Sequence, residues 1–527
     1  MSKIIGLNYG SHDNGASLII DGKLVCAIEE EKMTGVKACY IAFNKPEKSL
    51  AYIEKEFGVT LENCDAVAIA YPYFREFVKT HYSQIAHKFF SYSHHDCHTL
   101  GSYFTSGFDG KAISISHDGK GYRSRGKLYL CEDGELEEVY SQYIATTASL
   151  AGIWASATNS LGWKMLKDEG KVVGLAAHGN FDSQIYDWLS QCIYYEKFSF
   201  KPSNWESLYH YIFDIYQLER FSNHEFRQNF AFTLQKFTED VFQKYLEDIS
   251  SKFPDYRKLC LSGGLFANVK LNQHINSLGL FDEIFIHPSM GDGGLATGAA
   301  LICAHEMGEI TKPLILENSF LGQHHSREDW TSTLQPHLEN IVIDVYTPKS
   351  VANLIDKGEV IGCFFGKTEY GPRALGNRSI IVRPTDPETH RKLNEKLKRT
   401  EIMPFAPSVL AEEAENVFEI SKSRYTAEFM TLCYNTKYEW VERIPAVIQK
   451  LDRSARPQLV VREKNPNFHS IIEEYMKISG IPVVLNTSFN AHGEPINNYP
   501  SQVIKHLLDG VVDHIATEYF IISRKPA

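Results

Sequence analysis

The chain has 527 residues, beyond the length at which one hydrophobic core usually divides, so two or more domains are expected. Apolar residues make up 43% and charged residues 23%, an ordinary globular mix, and 65 acidic against 54 basic side chains (net −11) argue against a broad nucleic-acid-binding face. Ten cysteines contain no Cys-x-x-Cys pair, the start at Met1-Ser2-Lys3 has no signal-peptide pattern, and no apolar run nears the roughly 20 residues of a membrane span, so a reducing, cytoplasmic location is expected.

Residues 4–7, 16–20 and 24–28 read as strands, with a polar loop over 9–15 and a tight-turn signal at Asp21-Gly22. The order recurs further on. Strand 111–116, loop His117-Asp118-Gly119-Lys120-Gly121, strand 127–130, turn Asp133-Gly134 and strand 136–140 repeat it, which predicts a duplicated lobe with a cleft. Phe230, Leu234, Phe237, Val241, Tyr245 and their apolar neighbours predict a helix over 225–250. Strand 258–261, the loop Ser262-Gly263-Gly264, strand 283–287, loop 289–294 and a helix from Leu295 then follow in alternating α/β order. Periodicity weakens over 310–348, and the domain boundary is placed at 345/346. Beyond it lie a helix at 351–357 and strands at 360–364, 380–382 and 482–485.

The densest cluster of ligand-type residues is Ser93-His94-His95-Asp96-Cys97-His98. On a helix opening after Ser93, His94 and His98 share one face. Asp118 ends a strand in Asp-Gly-Lys-Gly, and Asp292 sits in Gly-Asp-Gly-Gly before a helix. Two imidazoles and two carboxylates form an N/O set suited to iron(II), manganese or zinc. The bland alternative makes Asp118 a turn residue and Asp292 a helix N-cap.

Glycine-rich backbone beside helix starts, as at Gly263-Gly264 with Asn268 and at 291–294, suits anions. In the C-terminal part, the stretch from Gly366-Lys367 through Gly371-Pro372-Arg373 to Arg378-Ser379 sets cations beside glycine. Lys398-Arg399, Arg453-Ser454-Ala455-Arg456 and Leu485-Asn486-Thr487-Ser488 add further cations and donors. Such residues fit recognition of a triphosphate or an acyl phosphate.

At these residues the chain resembles the O-carbamoyltransferases of antibiotic and nodulation-factor pathways. The resemblance runs in order through Gly10-Ser11-His12-Asp13, Glu29-Glu30-Glu31-Lys32, His94-His95-x-x-His98, Asp118-Gly119 and Glu169-Gly170-Lys171. It continues through Gly263-Gly264, Gly291-Asp292-Gly293-Gly294, Tyr370-Gly371-Pro372-Arg373, Ala455-Arg456-Pro457-Gln458 and Leu485-Asn486-Thr487-Ser488. It implies an actin/sugar-kinase-like (RNase H-like) duplicated α/β domain over 1–345 and a YrdC-like α/β domain over 346–527.

The resemblance further implies that the C-terminal domain joins carbamoyl phosphate to ATP, yielding carbamoyl adenylate and pyrophosphate, with Mg2+ accompanying the ATP. The N-terminal domain would then pass the carbamoyl group to a hydroxyl of a small molecule or a hydroxymethylated nucleotide or base. His94, His98, Asp118 and Asp292 correspond to ligands of Fe2+ or another divalent metal, and His12 to the catalytic base. Lys171, Gly263, Gly264 and Asn268 correspond to adenylate-binding positions. Lys367, Arg373, Lys398, Arg399, Ser454, Arg456, Asn486 and Ser488 correspond to positions for ATP and carbamoyl phosphate. No membrane partner is expected, and nucleic acid only as acceptor; the oligomeric state is not legible.

The chain departs from the family at Lys32-Met33, where Arg-Phe is common, at Ile402-Met403 and at Arg453-Ser454. A tRNA threonylcarbamoyl-transfer enzyme is the alternative reading, disfavoured by the net charge and the lack of a basic stripe. A nucleotide-binding regulator of sugar-kinase type would bind ATP without releasing pyrophosphate.

Overall fold

In the computed structural model of the protein, which describes residues 1–10, 12–38, 46–71, 80–203, 222–397, 405–420 and 422–525, the first strands fall where the β-branched runs predict them. Strands β1 (Lys3–Asn8) and β2 (Gly15–Ile20) pair antiparallel, with Lys3 opposite Ile20 and Asn8 opposite Gly15. Strand β3 (Lys23–Glu29) adds beyond β2, whereas β4 (Ala66–Ile69) and β5 (Phe89–Ser91) continue in parallel beyond β1. The sheet order is β3-β2-β1-β4-β5.

The second sheet repeats this plan. Strands β6 (Lys111–His117), β7 (Ser124–Glu132) and β8 (Glu135–Tyr143) form the antiparallel meander. A separate hairpin, β9 (Ile193–Glu196) with β10 (Ser199–Pro202), precedes the two parallel additions, β11 (Lys258–Ser262) and β12 (Glu283–Ile286). The order is β12-β11-β6-β7-β8, strand for strand the plan of the first sheet. The duplication read from two Asp-Gly hairpins therefore extends over five strands in each half, as the actin/sugar-kinase-like fold requires.

This topology places functional loops. In a parallel pair the carboxyl ends lie side by side, so the loops after β1, β4, β5, β6, β11 and β12 gather at the same ends of their sheets. Residues 9–10 and 12–14, Tyr71, His94, Asp118, Gly263-Gly264 and Asp292 occupy those positions. Helices His94–Phe104 and Leu295–Glu306 pack closely among them, and a Cβ at Gly298 would stand 2.0 Å from the carbonyl of Cys97. Residues 295–304 are buried on every side, the pattern of a central helix rather than a surface one. The long helix His224–Lys252 buries Phe230, Leu234, Phe237, Val241, Phe242 and Tyr245 in one apolar cluster with Trp154, Trp188 and Phe200.

The C-terminal unit is an α/β layer around an eight-stranded mixed sheet. Its strands are β13 (Ile341–Val345), β14 (Ile361–Phe364), β15 (Arg378–Val382), β16 (Ala406–Leu410), β19 (Gln458–Val460), β20 (Val483–Ser488), β21 (His514–Thr517) and β22 (Phe520–Arg524). Their order is β13-β22-β21-β14-β15-β20-β16-β19. The short pair β17 (Tyr434–Asn435) and β18 (Ser454–Ala455) stands apart.

The described residues gather into two compact units. One compact unit comprises the described residues of Met1–Val25 and Ile53–Leu316, and the other those of Cys26–Cys39, Glu47–Tyr52 and Glu317–Ala527. The segment that looked like a linker carries β13, which pairs along its length with β22. It misled because it is an edge strand: Val342, Ile343 and Val345 are exposed, which erases the alternation a half-buried strand would print in the sequence. The inclusion of the end of β3 and the residues after it in the C-terminal unit is a long-range arrangement that no local pattern announces.

Candidate metal centre

The candidate centre begins with a helix cap. Ser93 accepts the Asp96 amide at 3.3 Å, so the helix opens where the sequence predicts and His94 and His98 lie one above the other. Their Nε2 atoms meet two carboxylates from remote loops. His94 Nε2 is 3.4 Å from Asp118 Oδ2 and 3.5 Å from Asp292 Oδ1, and His98 Nε2 is 3.3 Å from each of those oxygens. All four ligand atoms lie within 4.8 Å of one another.

These separations exceed those of charge-assisted hydrogen bonds, about 2.7–2.9 Å. They leave room for an ion shared between the four donors, as N and O ligands of a divalent metal require. The donor set, its burial and its spacing therefore fit a divalent metal.

The outward atoms of the ligands are also held. His94 Nδ1 is 2.8 Å from the Tyr71 hydroxyl, which also lies 3.4 Å from Asp292 Oδ2. His98 Nδ1 is 3.3 Å from Ser262 Oγ, whose hydroxyl is in turn 3.2 Å from the Met290 carbonyl. Such partners orient ligating imidazoles. Asp118 serves two roles at once: Oδ1 accepts the Gly119 amide at 2.6 Å, as a turn residue would, while Oδ2 faces the histidines. The N-cap alternative for Asp292 does not hold, because the helix Leu295–Glu306 is capped by Gly294 without a side chain and the carboxylate turns to the imidazoles. Gly264 leaves room for the carboxylate, since a Cβ there would stand 2.8 Å from Asp118 Oδ1 and displace it.

Electrostatics set the protonation. Burial alone would push His98 down, but hydrogen bonds and charge from Asp118 and Asp292 together outweigh it and hold it up at about 9. Burial likewise tends to raise Asp118, yet the two histidines keep it well below the carboxylate range. His12 Nε2 lies 3.5 Å from Asp292 Oδ2 and its Nδ1 2.8 Å from Asp13 Oδ2. The charge of Asp292, with smaller contributions from Asp13 and Asp118, raises it to about 10 against the effect of burial.

A cavity of about 220 Å³ adjoins this cluster. Its rim carries His12, Asp118 and Asp292, and its walls include Trp154, Val173, Leu265, Gly264 and Asn268. Gly264 is thus one of the residues lining the cavity. Asn268 lines the same cavity, but its oxygen caps helix Val269–Ser277 and its amide donates to Gln235. Gly263 packs against His117 rather than lining the cavity. Lys171 is not among the lining residues either, and its ammonium lies 3.2 Å from Asp168 Oδ1.

In the C-terminal unit, Arg373 and Arg456 interact electrostatically, and no carboxylate among the described residues pairs with either guanidinium. Burial and then the neighbouring Arg456 push Arg373 well below the arginine range, and burial pushes Arg456 down too. The Nε of each, and Asn486 Oδ1, are buried without a hydrogen-bond partner in the described structure. Asn486 Nδ2 donates to the Ala374 carbonyl at 3.2 Å, and Gln458 Nε2 to that of Leu375 at 2.7 Å, so three chain segments are tied together here. Two like charges with no counter-ion make an anion-binding arrangement. Ser454 is engaged with Asp452 and Ser488 with Asn490, while Lys367 accepts from Asn377 through its carbonyl. Lys398 and Arg399 lie outside the described residues.

Comparison with known families gives a consistent result. Residues 70–301 match the family description Carbamoyltransferase N-terminus, and residues 352–524 match Carbamoyltransferase C-terminus. The chain belongs to the carbamoyltransferase family. It is 34% identical over 462 residues to the uncharacterized protein MJ1058 of Methanocaldococcus jannaschii, covering 82% of this chain and 74% of that one. It is 29% identical to the nodulation protein NolNO of Sinorhizobium fredii, over 99% of this chain and 80% of the relative. With the nodulation protein NolO of Bradyrhizobium diazoefficiens it shares 30% identity, over 82% and 79% of the two chains. The protein is thus a carbamoyl-transferring enzyme.

In this carbamoyltransferase the cluster brings together all four expected ligands with His12, and the C-terminal unit brings together Arg373, Arg456 and Asn486. Sequence reasoning missed Tyr71, which follows a short strand with no motif around it, and Trp154, whose helical spacing reads as core. Among the described residues, no helix is long and apolar enough to cross a membrane.

Proposed function

We propose that the enzyme makes carbamoyl adenylate in its C-terminal unit and transfers the carbamoyl group to a hydroxyl in the N-terminal one. In the first step carbamoyl phosphate, ATP and one water give carbamoyl adenylate, phosphate and pyrophosphate. Arg373 and Arg456 would hold the phosphates, since an anion satisfies two buried guanidiniums that the described protein leaves without a counter-charge. Asn486 Oδ1 offers an acceptor in the same place, suited to the carbamoyl amide. Mg2+ would accompany the ATP.

In the second step the adenylate occupies the cavity beside Gly264, Trp154 and Leu265, whose apolar walls suit a purine. The acceptor oxygen attacks the carbamoyl carbon, AMP leaves, and the hydroxyl proton must go to a base. A divalent cation, Fe2+ in this reading, held by His94, His98, Asp118 and Asp292 would supply positive charge beside the departing phosphate. With Asp118 and Asp292 engaged as ligands, the charge that keeps His12 protonated is offset, and its Nε2 can accept the hydroxyl proton. Asp13 holds the other ring nitrogen and so fixes the tautomer.

The acceptor is an alcohol of a small molecule or of a hydroxymethylated nucleotide or base. The observation that carries this reading is the convergence of two imidazoles on two carboxylates, Asp118 and Asp292, that also line the adjoining cavity. Supplying synthetic carbamoyl adenylate to metal-loaded protein with a panel of sugar, antibiotic and nucleoside alcohols tests the second step. Carbamate ester and AMP in equal amounts are expected with one acceptor class. Failure of every alcohol to raise AMP release above hydrolysis would contradict hydroxyl transfer.

A further inference from the structure

Lys32 is one of the most deeply buried charged side chains among the described residues, at 1% exposure. Its Nζ donates to two backbone carbonyls and forms an ion pair with one carboxylate. Nζ is 2.6 Å from the Glu369 carbonyl, 2.8 Å from the Gly371 carbonyl and 2.9 Å from Glu29 Oε2. The other oxygen of Glu29 accepts the Gly371 amide at 2.6 Å. All these residues belong to the C-terminal unit.

The far side of the same loop is tied down by Glu369. Its Oε1 accepts the amides of Leu375, Asn377 and Arg378 at 2.9, 2.9 and 2.8 Å. The loop is therefore clamped at 369 and 371 by the Glu29–Lys32 pair and at 375–378 by its own carboxylate. Between the clamps lie Pro372, Arg373 and Ala374. The Arg373 guanidinium has no protein partner among the described residues, so its aim rests on the backbone that these bonds fix.

We propose that Lys32, held by Glu29, is a positioning residue that sets the Arg373 guanidinium toward the anion shared with Arg456. This rests on the reading of the C-terminal unit as a phosphate site. A stabilising role alone explains the pair poorly, because a buried ion pair contributes little net stability over apolar packing. The geometry also accounts for lysine here: acceptors surround one nitrogen, which suits an ammonium with three rotatable donors better than a planar guanidinium fork.

The test uses inorganic pyrophosphate as the probe and the full chain, titrated calorimetrically in the wild type, Lys32→Met and Glu29→Gln. KM and kcat for carbamoyl phosphate are measured alongside, with the circular dichroism spectrum as the check on fold. Both variants are expected to keep the wild-type spectrum, bind pyrophosphate about tenfold more weakly or worse, and raise KM more than they lower kcat, as misplacement of a binding group does. If the wild type binds and both folded variants bind equally well, the positioning role is overturned while the phosphate site stands. If the wild type binds no pyrophosphate, the phosphate reading falls and the positioning role with it. Should Lys32→Met fail to fold, Glu29→Gln decides. Loss of fold in both would make the pair a structural brace only and overturn the assignment.

Discussion

The Nε2 atom of His98 stands 3.3 Å from Asp292 Oδ1, across 194 residues of sequence. The contact exists because two helices cross closely at Gly298 and because Asp292 follows the last parallel strand of its sheet. Nothing else in the described structure gathers two imidazoles and two carboxylates as this contact does.

Replacing one ligand should separate the two half-reactions. An outer partner of a ligating imidazole is worth about 10–100-fold in metal affinity, and loss of a ligand costs more. His94→Ala is therefore expected to lose bound metal and transfer activity while pyrophosphate release stays near wild type. Metal analysis and separate assays of the two steps check this; equal loss of both would contradict a metal acting in transfer.

Tyr71→Phe removes only the hydroxyl that lies 2.8 Å from His94 Nδ1. Metal affinity should fall about 10–100-fold with the fold intact. A competition titration with a chelator reads the change directly.

Gly264→Ala should leave overall stability within about 1 kcal/mol, because the nearest atom to the new methyl is the movable end of a side chain. That side chain is Asp118, so metal binding should suffer instead. Thermal unfolding and metal titration of one variant separate the two effects.

Protonation of the cluster predicts the pH response of the metal-free protein. His12 and His98 are raised to about 10 and about 9 from an ordinary value of 6.5, so their contribution is full below pH 6.5 and is lost as pH rises through 9 to 10. Asp118 and Asp292 are depressed, so theirs is present above the usual value of 3.8 and lost as pH falls below it. Melting temperature should accordingly fall between pH 6.5 and 10 without metal and fall less with it. Nuclear magnetic resonance of His12 should show its pKa dropping on metal loading.

Much of this site is legible in the sequence for a physical reason. Cap, helix and strand-end glycines are local signals, so Ser93, the His94/His98 spacing and the doubled hairpins announce themselves. Tyr71 and the Glu29–Lys32 clamp do not, because each acts through a partner far along the chain. The edge strand Ile341–Val345 hides for the opposite reason, since its exposed apolar residues carry no alternation.

The most direct measurement is pyrophosphate release by purified, iron(II)-loaded protein given ATP and carbamoyl phosphate together. Release that requires both substrates, and that Arg456→Ala abolishes while transfer from supplied carbamoyl adenylate survives, is the predicted result. No pyrophosphate from folded, metal-loaded protein would contradict the two-step reaction.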